Sequence, residues 1–475
     1  MRSQKSFLKI SIFLCVVVSH SLSFGQYEPN WKSIDSRPLP KWYDESKVGI
    51  FLHWGVYSVP GLGEWFLNHW KEGDKEAVEY MKKYYPPSFT YADFARDFRA
   101  DLFNPREWAT IFKKSGAKYI VLTSKHHEGY AMWPSTYSYN WNAMDVGPKR
   151  DLMGELSLAV RQAGLKFGAY YSLFEWYNPL YGKDKKSNFS THEYVIKKMF
   201  PELIEMVSTY QPEVLWSDGD WEATDKYFLS LPFLAWLYNE SPVRNTVVTN
   251  DRWGQGTSCK HGGYYSCRDR YNPGTLETHK WENAMTLDKD SWGYRRNATL
   301  NDYLSIEELI KTLVTTVSCG GNLLVNIGPT PYGTIPPIGQ ERLEQMGSWL
   351  QINGEAVYGS KPWLFQNDTS NPSVWYTKNA QSGLVYAFLL EWPHSRTLYL
   401  GAVSGNAGTK ATMLGYDKEL QIEVGPNNSG LTVSLPPQNE VGQWAWVLRL
   451  ASLNNSYSSH SQEVIKRKEF FTNLV

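Results

Sequence analysis

The sequence predicts an α/β protein in which a (β/α)8-like TIM barrel is followed by a C-terminal β-sandwich. From about residue 47 to 330, short β-branched or aromatic runs alternate with longer amphipathic stretches, which is typical of βα units around a parallel sheet. After residue 361 the chain changes to short alternating runs broken by Gly, Asn and Pro, as in antiparallel sheets. The length of 475 residues exceeds the roughly 250 of a TIM barrel, which leaves room for this second module.

The first 25 residues have the pattern of a signal peptide. Basic residues precede an apolar run over 10–18, and Ser-Phe-Gly at 23–25 forms a small-residue cleavage site before Gln26. A buried core helix is the alternative, but the run stands at the very start of the chain behind lysines. No stretch of the chain is long and apolar enough to span a bilayer. The sequence therefore predicts entry into the secretory route, with a lysosomal or an extracellular destination left open.

The barrel is predicted over residues 26–361. A helix is expected over 104–115, where Pro105 follows Asn104 in the first turn, and another over 151–163, where Asp151 can cap and Gly164 can terminate. The stretch 254–291 lacks a clean helix, so we expect an irregular barrel. Strands are predicted over 48–53, 119–124, 167–172, 214–217, 246–250 and 322–327.

The sandwich is predicted over residues 362–452. Its strand-like runs include 374–377, 383–390, 397–400 and 443–450. The remaining residues, 453–475, are polar, serine-rich and then basic, and we expect them to be poorly ordered.

The charge and the aromatic content together indicate a neutral ligand. The 48 basic and 48 acidic residues balance, and no basic block interrupts the chain, which argues against nucleic acid and membrane partners. Aromatic residues make up 15% of the chain and include 21 Trp. Carbohydrate fits this composition, because sugar ring faces stack on aromatic side chains.

The cysteines and sequons suit a secreted protein. Cys259 and Cys267 are close enough in sequence for a local bridge, although three unpaired thiols including Cys319 agree equally well with the pattern. Sequons occur at Asn188, Asn239, Asn297, Asn367, Asn427 and Asn454.

The ends of the predicted barrel strands are polar and aromatic, as active-site positions of such barrels are. Phe51 and His53 share one face of the first strand, which pairs an apolar wall with a hydrogen-bonding group. His126 and His127 end the second strand, but neighbouring residues of a strand point to opposite faces and no carboxylate–His spacing accompanies them. We therefore favour sugar-hydroxyl binding over a metal site or a structural pair.

Asp218 is the candidate nucleophile. It ends an apolar run that reads Val-Leu-Trp-Ser-Asp and would place a carboxylate on the barrel rim. The alternative is a cap for the next helix. Asp220 lies on the same face but further into the loop, and is the weaker candidate.

A retaining glycosidase needs a second carboxyl about 5–5.5 Å from the nucleophile. Asp269, in an aromatic loop, and Glu282, in a Lys-Trp-Glu-Asn segment, both fit this role of acid/base. Desolvation beside aromatic rings would raise the pKa of either. Each has a salt-bridge alternative, with Arg268 or Lys280, and the residues alone do not separate the two.

Several blocks of the sequence together resemble the family 29 glycoside hydrolases, the α-L-fucosidases, and in particular the animal lysosomal type. The resemblance covers about residues 27–450, and the blocks occur in family order. They are Phe-Leu-His-Trp-Gly at 51–55, Gly-Glu-Trp at 63–65, Lys-His-His-Glu-Gly at 125–129, Leu-Trp-Ser-Asp-Gly at 215–219, Asn-Asp-Arg-Trp-Gly at 250–254, His-Lys-Trp-Glu at 279–282, Ser-Trp-Gly-Tyr-Arg-Arg at 291–296 and Gly-Gly-Asn-Leu-Leu-Val-Asn-Ile-Gly-Pro at 320–329.

The resemblance implies hydrolysis of terminal α-L-fucose from glycans or glycoproteins, with retention, without a metal or organic cofactor, and with Asp218 as nucleophile. Alignment of the Gly-Tyr-Tyr loop favours Asp269 as acid/base, whereas the signature block favours Glu282; we lean to Asp269. The family usually has Cys two positions after that Glu, where this chain has Ala284, so no role for a thiol carries over. The residues implied to bind fucose hydroxyls are His53, Glu64, Trp65, His126, His127, Tyr171 and Arg252, and those implied to face its methyl group and ring are Phe51, Trp221 and Trp292.

Two other functions remain compatible with these residues. Another retaining glycosidase or a transfucosylase would use the same carboxyls on a different donor or acceptor. A catalytically silent fucose-binding lectin would keep the pocket, but its mark would be the loss of the strand-end Asp, which is present here. The sequence is also compatible with a homo-oligomer.

Overall fold

The computed structural model describes residues 26–454, and the predicted signal peptide and most of the predicted disordered tail lie outside this range. Within it, seven parallel strands form one curled sheet in the order β5-β4-β3-β2-β1-β7-β6. This confirms the predicted barrel-like α/β fold. The strands are β1 (Val48–Leu52), β2 (Tyr119–Lys125), β3 (Lys166–Ser172), β4 (Val214–Asp218), β5 (Val248–Thr249), β6 (Glu282–Thr286) and β7 (Asn322–Ile327).

An irregular segment bridges the gap between the edge strands β5 and β6. The backbone N–H of Tyr264 donates to the carbonyl of Thr249 (3.1 Å), and the N–H of Tyr265 donates to the carbonyl of Lys280 (2.8 Å). The N–H of Glu282 donates in turn to the carbonyl of Tyr265 (2.8 Å). The ring of strands therefore closes through these two tyrosines, which accounts for the missing helix in the stretch 254–291.

The two helices predicted from capping signals are confirmed. The side chain of Asn104 accepts from the first-turn N–H groups of one helix, which has Pro105 at its first position, and Asp151 accepts from Gly154 in the other. Within residues 26–454, none of the helices has the length and apolarity needed to cross a membrane. The α-helices are α1 (Trp31–Asp35), α2 (Lys41–Ser46), α3 (Phe66–Glu72), α4 (Lys75–Tyr84), α5 (Pro105–Lys114), α6 (Leu152–Gln162), α7 (Pro179–Lys186), α8 (Phe200–Tyr210), α9 (Ser230–Asn239), α10 (Ile306–Ser318) and α11 (Pro337–Asn353).

Aromatic side chains fill the interior of the barrel. Because side chains alternate along a strand, Val214, Trp216 and Asp218 of β4 share the inward face. Gly49 leaves room for the ring of Tyr119, since a Cβ there would lie 2.4 Å from Cε2 of that ring. The buried interior cluster comprises Tyr43, Phe51, Tyr119, Val121, Tyr170, Val214, Trp216, Val248, Tyr264, Ala284 and Leu324.

The C-terminal part consists of two antiparallel sheets, which confirms the predicted sandwich. A five-stranded sheet has the order β12-β15-β10-β9-β8, and a three-stranded sheet has the order β11-β14-β13. Buried residues of both, such as Tyr376 and Leu431, belong to one core. The division of the chain between residues 361 and 362 stays a prediction. The strands are β8 (Lys361–Asn367), β9 (Val374–Lys378), β10 (Val385–Leu389), β11 (Thr397–Ser404), β12 (Lys410–Met413), β13 (Ile422–Val424), β14 (Ser429–Ser434) and β15 (Trp446–Ala451).

Candidate active site

A cavity of about 440 Å³ opens at the carboxyl ends of the barrel strands. The predicted site residues line it, with the exceptions of Tyr171 and Glu282, and three residues that we did not predict, Tyr170, Trp216 and Asp290, line it as well. The full lining is Phe51, His53, Glu64, Trp65, His126, His127, Tyr170, Trp216, Asp218, Trp221, Arg252, Asp269, Asp290 and Trp292.

Asp218, at the end of β4, is held from several sides. Its Oδ2 accepts from the hydroxyl of Tyr170 (2.8 Å) and its Oδ1 accepts from Nη1 of Arg252 (3.1 Å). Nε2 of His127 lies 3.5 Å from Oδ2. The next α-helix along the chain, α9, has Leu229 at its N-cap, so the alternative of a helix cap is wrong. The carboxylate is therefore oriented in the cavity with 12% of its side chain exposed.

Arg252 joins two carboxylates of the cavity. Nη1 donates to Asp218 and Nη2 donates to Oδ1 of Asp269 (2.8 Å), while Nε donates to the hydroxyl of Ser266 (3.2 Å). Burial opposes the charge of Arg252, but the nearby carboxylates of Asp269, Asp218 and Asp220 raise the pKa of its guanidinium. One fixed cation therefore brings Asp218 and Asp269 to the same part of the cavity.

Asp269 lies on a loop that Asp251 organises. The buried carboxylate of Asp251 accepts from the N–H and hydroxyl of Ser266 (2.9 and 2.6 Å) and from the N–H groups of Cys259 (2.7 Å) and Cys267 (3.0 Å). The two cysteines form a disulfide, which decides between the local bridge and the free thiols that the sequence left equally open. The loop is thus pinned on both sides of Ser266, and the side chain of Asp269 remains 47% exposed.

One cluster of potential metal ligands occurs among residues 26–454. It groups Asp251, Cys259 and Cys267 with ligand atoms within 4.8 Å of one another. Both sulfurs belong to the disulfide, so they are not thiolates, the form of Cys that binds metals.

Two buried histidines of the cavity contact polar groups of the barrel through Nδ1. Nδ1 of His53 lies 2.7 Å from Oδ1 of Asn326, and Nδ1 of His127 lies 2.6 Å from the hydroxyl of Ser172. Burial, followed by repulsion from His126, lowers the pKa of both imidazoles well below the usual range. A neutral imidazole offers one donor and one acceptor, which suits a sugar hydroxyl.

Glu64 and the tryptophans complete the wall of the cavity. Oε2 of Glu64 accepts from the N–H of Gly293 (2.8 Å), the N–H of Trp292 (3.1 Å) and the hydroxyl of Ser291 (3.0 Å). Trp65 and Trp221 lie nearly parallel, with ring centroids 6.2 Å apart, and Trp221 is 43% exposed at the mouth. The cavity therefore combines fixed polar groups with flat apolar faces.

The prediction that Tyr171 lines the site is wrong. Its hydroxyl donates to Oε2 of Glu202 in α8 (2.8 Å), on the outer face of β3. Tyr170 takes the inward position instead, because neighbouring side chains of a strand point to opposite faces. The two adjacent tyrosines lie on opposite faces of the strand, and the alternating pattern of the sequence does not show which of the two faces points into the barrel.

The prediction that Glu282 is an acid/base candidate at the cavity is also wrong. It begins β6, whereas the cavity lies at the opposite ends of the strands, and it is fully buried in the barrel. Its Oε2 accepts from the hydroxyls of Tyr43 and Tyr119 (2.7 Å each), and its Oε1 accepts from Nε1 of Trp216 (3.0 Å). Burial raises the pKa of Glu282, as expected for that segment, but the carboxyl does not border the cavity.

Two of the three unpredicted lining residues carried a signal in the sequence. Trp216 stands two positions before Asp218 and so shares its face. Asp290 stands two positions before the predicted Trp292, and its Oδ2 lies 3.3 Å from Nη2 of Arg295.

Comparisons with known proteins agree with the predicted family. A family model described as alpha-L-fucosidase matches residues 14–355, and one described as alpha-L-fucosidase C-terminal domain matches residues 366–451. An α-L-fucosidase of Branchiostoma floridae is 57% identical over 432 residues, which are 90% of this chain and 96% of that protein. The plasma α-L-fucosidase of Homo sapiens is 56% identical over 439 residues, 91% and 94% of the two chains.

A further relative and a solved structure extend this agreement. The tissue α-L-fucosidase of Homo sapiens is 51% identical over 433 residues, 90% of this chain and 92% of that protein. The crystal structure of the Thermotoga maritima α-fucosidase superposes with a TM-score of 0.77 at 33% identity, covering 90% of this chain and all of that one.

Proposed function

Since this chain belongs to the α-L-fucosidase family and is a glycoside hydrolase, we propose that it removes terminal α-L-fucose from glycoconjugates by a retaining double displacement. The observation that carries the mechanism is the single guanidinium of Arg252, which bonds both Asp218 and Asp269 in one cavity. Retention requires two carboxyls at short range on either side of one glycosidic bond. The shared contact with Arg252 brings the two carboxyls to the same part of the cavity and supports this pairing, with Asp269 as our choice of acid/base.

In the first step, a carboxylate oxygen of Asp218 attacks C1 of fucose while the carboxylic acid of Asp269 gives its proton to the glycosidic oxygen. The C1–O bond to the leaving group breaks, and a fucosyl ester of Asp218 forms. Tyr170 and Arg252 donate hydrogen bonds to Asp218 and orient its carboxylate for the attack. When the ester is cleaved, the same donors stabilise the carboxylate that forms again.

In the second step, the carboxylate of Asp269 takes a proton from water, and the resulting hydroxide oxygen bonds to C1. The ester bond to Asp218 breaks, and α-L-fucose leaves with its original configuration. The partial exposure of Asp269 supports this role, because water has to reach it between the two steps.

Recognition of the sugar is assigned to two groups of residues. We propose that His53, His126, His127, Glu64 and Trp65 bind fucose hydroxyls, with Arg252 close to them. The apolar faces of Phe51, Trp221 and Trp292 would contact the methyl group and ring. Burial lowers the pKa of His53 and His127, which supports this assignment, since an imidazole without charge suits hydroxyls better than anions.

The natural substrates are proposed to be fucosylated glycans or glycoproteins of the secretory route, in the lysosome or outside the cell. The signal-peptide pattern, the sequons and the disulfide support this location, because disulfides persist in oxidising compartments. Relatives named plasma and tissue α-L-fucosidases are consistent with either destination.

The test is covalent labelling with a 2-deoxy-2-fluoro-fucosyl fluoride, followed by peptide mapping and NMR analysis of the first product formed from a fucoside. We expect the label on Asp218 and α-L-fucose as the first product. A label on another residue, or β-L-fucose as the first product, would overturn the mechanism.

A further inference from the structure

Glu282 is a buried acid that the proposed mechanism does not use. Its side chain is inaccessible to solvent and to the cavity, and three donors surround it. Burying a carboxyl group is costly unless it is hydrogen-bonded, and each bond here comes from a different part of the chain.

Tyr43 and Tyr119 set the orientation of the carboxyl. Both hydroxyls donate to Oε2, so the other oxygen, Oε1, is the one that faces Trp216. The ring of Tyr264 stacks on that of Tyr43, with centroids 4.6 Å apart, and closes the cluster on another side. The tyrosines thus hold Glu282 on the side away from the cavity. Its remaining hydrogen bond, from Trp216, lies on the side toward the cavity.

Trp216 connects this buried cluster to the active site. Its Nε1 donates to Glu282, while its ring forms part of the cavity lining. The ring of Tyr170 stacks on it with centroids 5.7 Å apart and planes 21° apart, and the guanidinium of Arg252 lies 4.7 Å from its centroid. Tyr170 and Arg252 are the residues that donate to the two oxygens of Asp218.

We propose that Glu282 is a positioning residue for the reaction: it fixes the indole of Trp216, which in turn supports Tyr170 and Arg252 around Asp218. This inference rests on the proposed role of Asp218. Glu282 exchanges no proton with the substrate and acts only through the indole N–H.

The experiment compares Glu282→Ala, Glu282→Gln and the control Tyr376→Phe. Tyr376→Phe removes a buried hydroxyl that donates to the carboxylate of Asp368 (2.7 Å) in the C-terminal sandwich and leaves the cluster around Glu282 intact. The stoichiometry of fucose-like iminosugar binding, measured by calorimetry, counts the folded sites, so that kcat refers to folded protein. Each variant is assayed with a nitrophenyl fucoside and with a fucosylated disaccharide, whose leaving group is poorer, and with and without azide.

We expect Glu282→Ala to lower kcat per folded site by about 10- to 100-fold, since small displacements of reacting groups have effects of this size. The loss should be equal for both substrates and should not respond to azide. Glu282→Gln should recover most of the activity, because its amide oxygen can accept from the indole and its NH₂ can donate to the tyrosines. Tyr376→Phe should leave kcat per folded site unchanged, because its hydroxyl contacts Asp368 and not the cluster around Glu282.

Two results would overturn the proposal. The first is a Glu282→Ala enzyme with wild-type kcat per folded site, which would make the role purely structural. The second is a Glu282→Gln enzyme as impaired as Glu282→Ala, with rescue by azide, which would make Glu282 a proton donor. If Glu282→Ala does not fold, Trp216→Phe decides, because it removes the indole N–H; a wild-type kcat would then overturn the proposal. Labelling of Asp218 in the wild-type protein tests the proposed function separately.

Discussion

The guanidinium of Arg252 is the contact that we expect to matter most for catalysis outside the two acids. Arg252→Met removes two charge-assisted hydrogen bonds, to Asp218 and to Asp269, each worth about 1.5–3 kcal/mol. The bond to Asp269 counts for less, because that side chain is 47% exposed and water can replace the donor. We therefore expect a loss of about 3 kcal/mol in transition-state stabilisation, or roughly 150-fold in kcat/KM.

Arg252→Lys gives the intermediate case. The ammonium keeps the charge but cannot reach both carboxylates with the planar fork of a guanidinium, so we expect a loss of about tenfold. The assay is steady-state kinetics on a nitrophenyl fucoside, with thermal unfolding to establish that each variant is folded. Arg161→Met is the matched control, since Nη2 of Arg161 pairs with Glu213 (2.9 Å) away from the cavity.

The reasoning is refuted if Arg252→Met retains wild-type kcat/KM, or if Arg252→Met and Arg252→Lys are equally impaired. A rise in KM with unchanged kcat would also contradict it, because the lost contacts would then serve substrate binding alone.

Further predictions concern the two acids, the paired tyrosines and one histidine. Asp218→Ala should lower kcat by several orders of magnitude in folded protein, and a near-normal rate would contradict its role as nucleophile. Asp269→Ala should be impaired mainly on substrates with poor leaving groups and should recover activity with azide. No recovery with azide would contradict its role as acid/base. Tyr170→Phe should lower kcat by about tenfold, because it removes a donor to Asp218. Tyr171→Phe should lower the unfolding temperature and leave kcat unchanged, because its hydroxyl bonds to Glu202 on the outer face. The reverse pattern in kinetics and thermal unfolding would contradict the observed faces of β3. Burial lowers the pKa of His127 in the folded protein, so below about pH 6.5 the unfolded chain binds more protons and the stability falls as the pH drops. His127→Gln should therefore flatten the decrease in urea midpoint between pH 7 and pH 5, and an unchanged decrease would contradict the burial argument.

The parts of the fold with a regular local signal could be predicted from the sequence. Capping residues predicted α5 and α6, and β-branched or aromatic runs predicted β1, β2, β3, β4 and β7. The strand β6 was missed, because Glu-Asn-Ala-Met-Thr has neither an apolar run nor an alternating pattern. Its assignment depends on pairing with β7, which is a tertiary contact.

The site was predictable where a residue ends a strand and less so elsewhere. Asp218 could be predicted because it is the last residue of an apolar strand. Side chains two positions apart on a strand share a face, so the same reasoning also places Trp216. Tyr171 was misplaced because two adjacent tyrosines do not show which face of the strand is inward. Glu282 was misplaced because the strand that it begins was not predicted, so its end of the barrel was unknown. Both errors concern direction along or across a strand, which sequence patterns specify weakly.

The two acids belong to different kinds of scaffold. Asp218 is carried by a strand within the hydrogen-bonded ring of the barrel, whereas Asp269 follows the short Tyr264–Tyr265 bridge and is anchored by Asp251. Changes in the segment that bears the proposed proton donor therefore leave the strand pairing that carries the proposed nucleophile intact. Because Arg252 and Ser266 still link this loop to Asp218, we expect leaving-group preference to be altered most safely by changes in the loop that keep these two contacts.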